Sequence, residues 1–452
     1  MKLIKNILIL LCFLKIIILS HQKLLFVNVH FRHGARGPIF LVNKEGADLF
    51  GNKWAKRGVL TPKGKRQVFL NGIKHREKYF EFINEEYIED EIKAYSTDSY
   101  RAISSLECYL NGLYYNNDLK GNIIKDGLTI YPPGNISENM KKTVEQLGIN
   151  ALPKDNHIIP INIFQKSDHS FVLHEPAKIS DCHIIGDIRK KLTSDYKYKK
   201  LINEFIEKFG KNLSNFFGSN NITINFTSDK IHLLCDSFYS DLTDNRDMSS
   251  LEKEGIKIEE LKEYCNNILS IVQKEIVSGD RNVVMMSQTP PIKKLLKWMD
   301  ERIELDKKGV PDKIIAGSPK FTIWSGHDSS ISTMQMFMYY NFGTKWSFPF
   351  FASSILFELY KNDNDKNEYE LRYYVNDALL FKIDYYKFKN KVNENLWSQE
   401  QIDNFCQFSI INISERNRKF YWIISFLVLL LIISAVFNIK NFLDNRKKIK
   451  EN

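Results

Sequence analysis

No CxxC pair, no Walker-type glycine-rich loop, no HExxH helix and no repeat of fixed period occurs in the 452 residues. Zinc-finger spacing, P-loop nucleotide binding, the helical zinc site and solenoid architectures are thereby excluded. Cysteine is sparse: Cys12 lies in the first twenty residues, leaving Cys108, Cys182, Cys235, Cys265 and Cys406. Five is odd, so at least one stays free or pairs between chains, and the wide spacing suits a few staples on a large domain. Surplus positive charge is scarcer than the formal +10 suggests. Lys2, Lys5 and Lys15 supply three of those charges, and the tail from Asn438 adds a net three, with five basic residues against two acidic ones. About +4 remains on the rest of the chain, too diffuse for the basic stripe that nucleic-acid binding needs. Nucleic acid is excluded as a partner.

With 43% hydrophobic residues, the chain can bury a large core, as one big domain with an insertion or two moderate domains. Residues 1–20, "MKLIKNILILLCFLKIIILS", place Lys2 and Lys5 ahead of an apolar run ending at Ser20, the layout of a signal peptide. Near the other end, "FYWIISFLVLLLIISAVF" (420–437) is free of charge and long enough to span a bilayer, with Tyr421 and Trp422 at its entry. More basic residues follow it than precede it, which predicts a single-pass type I topology with the tail 438–452 in the cytosol. Five sequons, at Asn135, Asn212, Asn221, Asn225 and Asn412, all fall on the lumenal side as glycosylation candidates. The lysosome, the cell surface and the endoplasmic reticulum all remain open; the tail ends "KIKEN", similar to a dilysine retrieval signal.

Three segments share one pattern. "KLLFVNVHF" reads as an interior strand stopped by the Gly and Pro that follow it; Thr61 and Pro62 then open an amphipathic helix with Val68, Phe69, Ile73 and Phe80 on one face. A strand to Tyr95 leads through "STDS", with Asp98 placed to cap, into a helix carrying Ile103, Leu106, Leu110 and Leu113. An apolar strand reaching Trp324 leads through "SGHD" into a third helix. Strand-turn-helix units predict an α/β core, a mixed sheet flanked by helices, over 21–160 and 280–405. The Lys/Glu-rich stretch 161–279 reads as a helical cap insertion, 406–419 as a stalk, and "SSILFELYKNDNDKNEYELRYYVND" as a hairpin.

Each unit places polar residues at its turn. Arg32 and Arg36 are fixed forks of donors suited to phosphate oxygens, and His33 between them is a nitrogen nucleophile or a base. Alone, two arginines around a histidine read as a surface charge network. Arg101 stands about one turn inside the second helix, and His327 and Asp328 at the mouth of the third unit. If the three strands are neighbours, these groups form a phosphoryl-transfer constellation: cationic donors, a nucleophile and an acid for the leaving group.

"RHGARGP", then "LTPKGKRQ", "STDSYR" and a late His-Asp after an apolar strand resemble the histidine acid phosphatases, the acid-phosphatase and phytase branch of the histidine phosphatase superfamily. The resemblance spans about Leu24 to Asp377 and is weakest through the insertion. It implies a histidine phosphatase-like core and a phosphohistidine formed on His33. Arg32, Arg36 and Arg101 would grip the phosphate, His327 would add a contact, and Asp328 would protonate the leaving alcohol. It implies no metal and no cofactor, because arginines supply the charge stabilisation. It also implies a long-range disulfide between Cys182 and Cys406, while Cys108 reads as a buried thiol. Gly37 stands where many members carry a larger residue, which predicts a looser phosphate loop. Small phosphorylated substrates are the expected partners, with the membrane through one C-terminal span; a homodimer is left open. Two other readings stand beside the acid phosphatase: a phytase or inositol-phosphate phosphatase, and a catalytically silent membrane receptor that keeps the cradle for binding.

Overall fold

The computed structural model describes residues 22–406 except 41–47, 49, 51, 55, 116–136, 149–157, 165–181, 220–226 and 363–367, together with 421–422 and 424–427. The signal segment, Asn135, Asn221, Asn225, Asn412 and most of 420–437 lie outside the described residues. Among the described residues no helix is long and apolar enough to cross a membrane. The chain divides into two compact units, one of residues 1–179 with 188–396, the other of residues 180–187 with 397–452.

The larger unit is organised by a sheet in the order β3-β2-β4-β1-β5-β6-β7. Its strands are β1 (Gln22–Arg32), β2 (Ile92–Thr97), β3 (Asn162–Phe164), β4 (Phe321–Gly326), β5 (Ser354–Asn362), β6 (Tyr369–Val375) and β7 (Ala378–Asp384). All of β4, and β1 from Leu25 onward, is buried, because parallel interior strands are covered on both faces and so carry near-continuous apolar runs. β1 pairs with β4, and β4 with β2, all parallel, so the three strand-turn-helix units are adjacent and their C-terminal ends align: Arg32 stands opposite Gly326, and Ser96 opposite Ser325. β5 runs antiparallel to β1, and β5 with β6 forms the predicted hairpin. Two strands were not expected. β3 pairs with β2 although it lies within 161–279, and β7 pairs with β6 beyond the hairpin. At three residues β3 is too short to show a period, and β7 leaves Ala378, Leu379 and Leu380 exposed, so it lacks the alternation that marks a half-buried strand.

Helices α1 (Pro62–Lys78) and α2 (Tyr100–Leu113) cover the sheet. Thr61 caps α1 as expected, its side chain accepting from the Gly64 amide at 3.0 Å. The buried face of α1 is Gly64, Val68, Gly72 and His75; the helix ends at Lys78, so Phe80 lies beyond it and is exposed. The two helices touch backbone to backbone: a Cβ on Gly72 would stand 2.1 Å from the Tyr109 carbonyl oxygen, and one on Gly112 2.1 Å from that of Phe69. Asp98 does not cap α2; the N-cap is Ser99, without a side-chain bond, and Asp98 is exposed.

Within 161–279, helices α3 (Tyr196–Ser219), α4 (Ser228–Asp244) and α5 (Ile258–Ile271) enclose a second core that includes Phe205, Phe209, Leu213, Phe238, Leu261 and Ile268. Burying each such side chain is worth about 1.5–3 kcal/mol. Phe50, from the chain just past the first turn, belongs to this core. A disulfide between Cys235 and Cys265 ties α4 to α5. In the smaller unit Cys182 and Cys406 are bonded, the pairing the resemblance implied. Cys108 is free and half-buried, not buried, because it lies at the border of the α2 face that packs on the core.

Candidate active site

The turn after β1 is held by backbone contacts that leave no room for side chains. A Cβ on Gly34 would stand 2.2 Å from the Gly64 carbonyl oxygen, and one on Gly64 2.0 Å from that of Ala35. The "LTPKG" segment therefore buttresses the turn. The Thr61 amide donates to the Ala35 carbonyl at 2.9 Å, the Ala35 amide donates to Gln67 Oε1 at 2.9 Å, and the Gly34 amide donates to Ser105 Oγ at 3.1 Å. Gly37 does not loosen the loop as expected. Its amide donates to the Val59 carbonyl, and the Trp54 ring packs where a Cβ would stand, 2.8 Å from its Cε3. The small residue makes room for an indole.

His33 is buried, and its Nδ1 lies 2.9 Å from the Gly34 carbonyl oxygen. A carbonyl only accepts, so the proton is on Nδ1 and the lone pair on Nε2. Burial, reinforced by Arg101, Arg32, His327 and Arg36, holds the imidazole well below its ordinary pKa, so it stays neutral in acid. Around it stand His327, with ring centroids 5.4 Å apart, and Phe351, at 5.8 Å.

Arg32 donates to the Pro349 carbonyl at 2.7 Å and pairs with Asp328 at 2.8 Å, with Phe351 beneath its guanidinium at 4.3 Å. Arg101 donates from Nη2 to His327 Nδ1 at 3.0 Å; the ring therefore carries its proton on Nε2, which faces Thr97 Oγ1 at 2.9 Å. Burial, with Arg36 next in effect, pushes the Arg101 guanidinium down to about 10. Asp328 opens α6 (Asp328–Phe342), its Oδ1 accepting the Ser329 amide at 2.9 Å. Ser330 Oγ accepts the His327 amide at 2.9 Å and donates back to the His327 carbonyl at 2.8 Å, which closes the "SGHD" turn. Burial raises the Asp328 carboxyl, but Arg32, Arg36, the Ser329 amide and Arg101 outweigh it and hold the group below the usual carboxylate range.

All six residues expected at the site, Arg32, His33, Arg36, Arg101, His327 and Asp328, are thus gathered at one edge of the sheet. The Nε–H groups of Arg32, Arg36 and Arg101 are buried without a hydrogen-bond partner. Three unpaired buried guanidinium donors around one imidazole are costly unless an anion satisfies them. Asn212, among the sequons, lies half-buried on α3.

Two side chains escaped the sequence reading. Asp236, on α4, forms a two-point ion pair with Arg36, at 2.7 and 3.2 Å, and also accepts the Ile39 amide at 3.1 Å. Burial raises Asp236, but Arg36 and the Ile39 amide prevail and hold it low, while Asp236 raises Arg36. Asp241, on the same helix, meets Asp48: Trp54 Nε1 donates to both, at 2.9 Å to Asp48 and 3.2 Å to Asp241, and Asn52 Nδ2 donates to Asp241 at 2.9 Å. Both partnerships join residues nearly two hundred positions apart, and no spacing rule signals that.

The model of the histidine phosphatase superfamily (branch 2) matches residues 23–254. That span carries Arg32, His33, Arg36 and Arg101 and stops ahead of His327 and Asp328, whose place at the site rests on the geometry above. Lysosomal acid phosphatase of Xenopus laevis is 24% identical over 365 residues, 79% of this chain and 71% of that protein. Testicular acid phosphatase of Mus musculus is 36% identical over 101 residues, 21% and 23% of the two chains. Among solved structures, Hafnia alvei phytase in complex with myo-inositol hexakis sulphate shares the fold with a TM-score of 0.53 at 14% identity, over 86% of this chain and 99% of that one. Matched over half its length and carrying the Arg-His-Gly turn at the end of β1, the chain belongs to branch 2 of the histidine phosphatase superfamily.

Proposed function

We propose that the protein is an acid phosphatase that hydrolyses phosphate monoesters through a phosphohistidine on His33. The observation that carries this reading is the set of three buried, unpartnered guanidinium Nε–H groups around a neutral imidazole. Those donors suit the equatorial oxygens of a transferring phosphoryl group. His33 Nε2 attacks phosphorus, the bond to the ester oxygen breaks, and Asp328 gives that oxygen its proton. Water then attacks the phosphohistidine, Asp328 takes the water's proton, and inorganic phosphate leaves. Nucleophile and acid must hold opposite protonation states, and the site separates them. His33 is kept neutral by burial and by positive neighbours. A phosphate dianion on Arg32 and Arg101 offsets the positive field that depresses Asp328, so the carboxyl takes up a proton as substrate binds. His327 holds Arg101, and the Nε2–H now directed at Thr97 is the donor it would turn to phosphate.

The test is a rapid quench with a radiolabelled phosphate monoester under alkaline conditions, where phosphohistidine survives. Label is expected on His33, and label elsewhere or nowhere rejects the mechanism.

An acidic lumenal compartment such as the lysosome suits these protonation states, and the apolar run 420–437 supports a C-terminal membrane anchor with segment 161–279 as a cap over the site. Alkaline carbonate extraction should leave the full chain in membranes and release a chain ending near Asn412; release of both would remove the anchor.

A further inference from the structure

Helix α4 brings a negative charge and an aromatic ring to a site whose task is to bind an anion. Asp236 and Tyr239 lie three residues apart and so share one face of the helix. Asp236 pairs with Arg36. Tyr239 meets Phe348, Phe350 and Phe351 at ring centroid distances of 6.3, 6.1 and 5.5 Å. Phe351 also lies under Arg32, and Phe350 is 47% exposed. His232, one turn before Asp236 on the same helix, also acts on its charge. The roof beside the phosphate grip thus carries a carboxylate held by an arginine and an apolar shelf.

The charge balance has a consequence. Three guanidinium groups against Asp236, with Asp328 protonated for its role as acid and both histidines neutral, leave a net charge of two, which one phosphate dianion matches. Asp236 has taken the positive charge of Arg36 that a second phosphate would use, and it keeps a fixed negative charge 2.7 Å from that arginine, beside the phosphate grip.

Building on the phosphatase reading above, we infer that Asp236 is a specificity-determining, positioning residue that restricts the site to a single phosphate on an uncharged, apolar leaving group and disfavours polyphosphorylated esters. It acts through Arg36 and by repulsion, without touching the reacting atoms.

The experiment compares p-nitrophenyl phosphate with myo-inositol hexakisphosphate at mildly acidic pH on the full chain and on Asp236→Asn and Asp236→Glu. Wild type should favour the aryl ester in kcat/KM. In Asp236→Asn, the hexakisphosphate to aryl ratio of kcat/KM should rise about tenfold, mostly through KM, and inorganic phosphate should inhibit about tenfold more tightly. Asp236→Glu, which restores the charge, should return both toward wild type. A wild type that prefers the hexakisphosphate overturns the inference whatever the variants do. So does a ratio unmoved in Asp236→Asn, since a merely structural role lowers both substrates together. If wild type turns over neither probe, the phosphatase reading has failed on its own account. Calorimetric binding of inorganic phosphate then decides, and equal affinity for wild type and Asp236→Asn rejects the charge effect.

Discussion

The floor of the site and its roof are built in different ways. The floor is the strand-end turn 32–37 with its buttress 61–67, where backbone meets backbone and the glycines at 34 and 64 have atoms within 2.2 Å of where a Cβ would stand. The roof is α4, which meets Arg36 through Asp236 and the Phe351 ring through Tyr239, and packs Asp241 against Asp48 and Trp54. A floor of close backbone contacts gives His33, the proposed nucleophile, and its arginines one geometry. Carboxylate and phenol side chains from a separately cored helix can instead adjust charge and shape at small cost to the chemistry. On the proposed function, reaction belongs to the floor and selectivity to the roof.

The harshest test of the floor is His33→Ala, expected to cut turnover of p-nitrophenyl phosphate on the order of 10⁴-fold or more with an unchanged circular dichroism spectrum. Normal hydrolysis by that variant would sink the assignment. Gly34→Ala should follow: the new methyl meets the Gly64 carbonyl, which cannot yield, so a loss of about 3–4 kcal/mol in denaturant unfolding is expected. A change below about 0.5 kcal/mol would show the turn to be more compliant than the backbone contacts allow.

Asp328→Ala should lower kcat about 10²- to 10³-fold on alkyl phosphates and far less on aryl ones, whose leaving groups need no proton. Equal losses on both would contradict the acid role. In wild type the free carboxyl is held low, chiefly by Arg32, against the effect of burial. The fall of kcat/KM with rising pH should therefore begin at lower pH than the fall of kcat, which reports the complex with bound phosphate.

The roof's own signature is in stability. Burial, then the hydrogen bond and charge of Asp48, push the Asp241 carboxyl up to about 8. A carboxyl raised on folding contributes stability that is fully present below its unfolded value, about 4, and is lost as pH rises toward the folded value. The protein should therefore melt at a lower temperature at pH 7.5 than at pH 5. Asp241→Asn, which mimics the protonated acid, should remove on the order of a few kcal/mol of that difference while kcat at pH 5 changes little. If thermal melts of wild type and Asp241→Asn fall in parallel between pH 5 and 7.5, the carboxyl pair is not the source.

The floor was readable because its parts are local. Arg32, His33 and Arg36 fall within five positions, at the end of one strand and in the turn that follows it, and Arg101 and Asp328 begin helices that follow strands of the same kind. A right-handed parallel arrangement brings such strand ends together on one edge. Local rules failed where the surroundings did not supply what they assume. Asp98 has capping chemistry but faces solvent, and Gly37 leaves the space that Trp54 fills.

Sequence order thus decided which groups gather at the candidate site, since residues a few positions apart on a strand end cannot avoid one another. Tertiary structure alone decided what the carboxylates of α4 meet. Asp236 meets Arg36, and Asp241 meets Asp48, across 200 and 193 positions of chain, with nothing in their own neighbourhoods to announce the meeting. Such contacts exist because α3, α4 and α5 close a core of their own and set α4 over the site. That placement depends on the packing of the whole segment and on no motif within it.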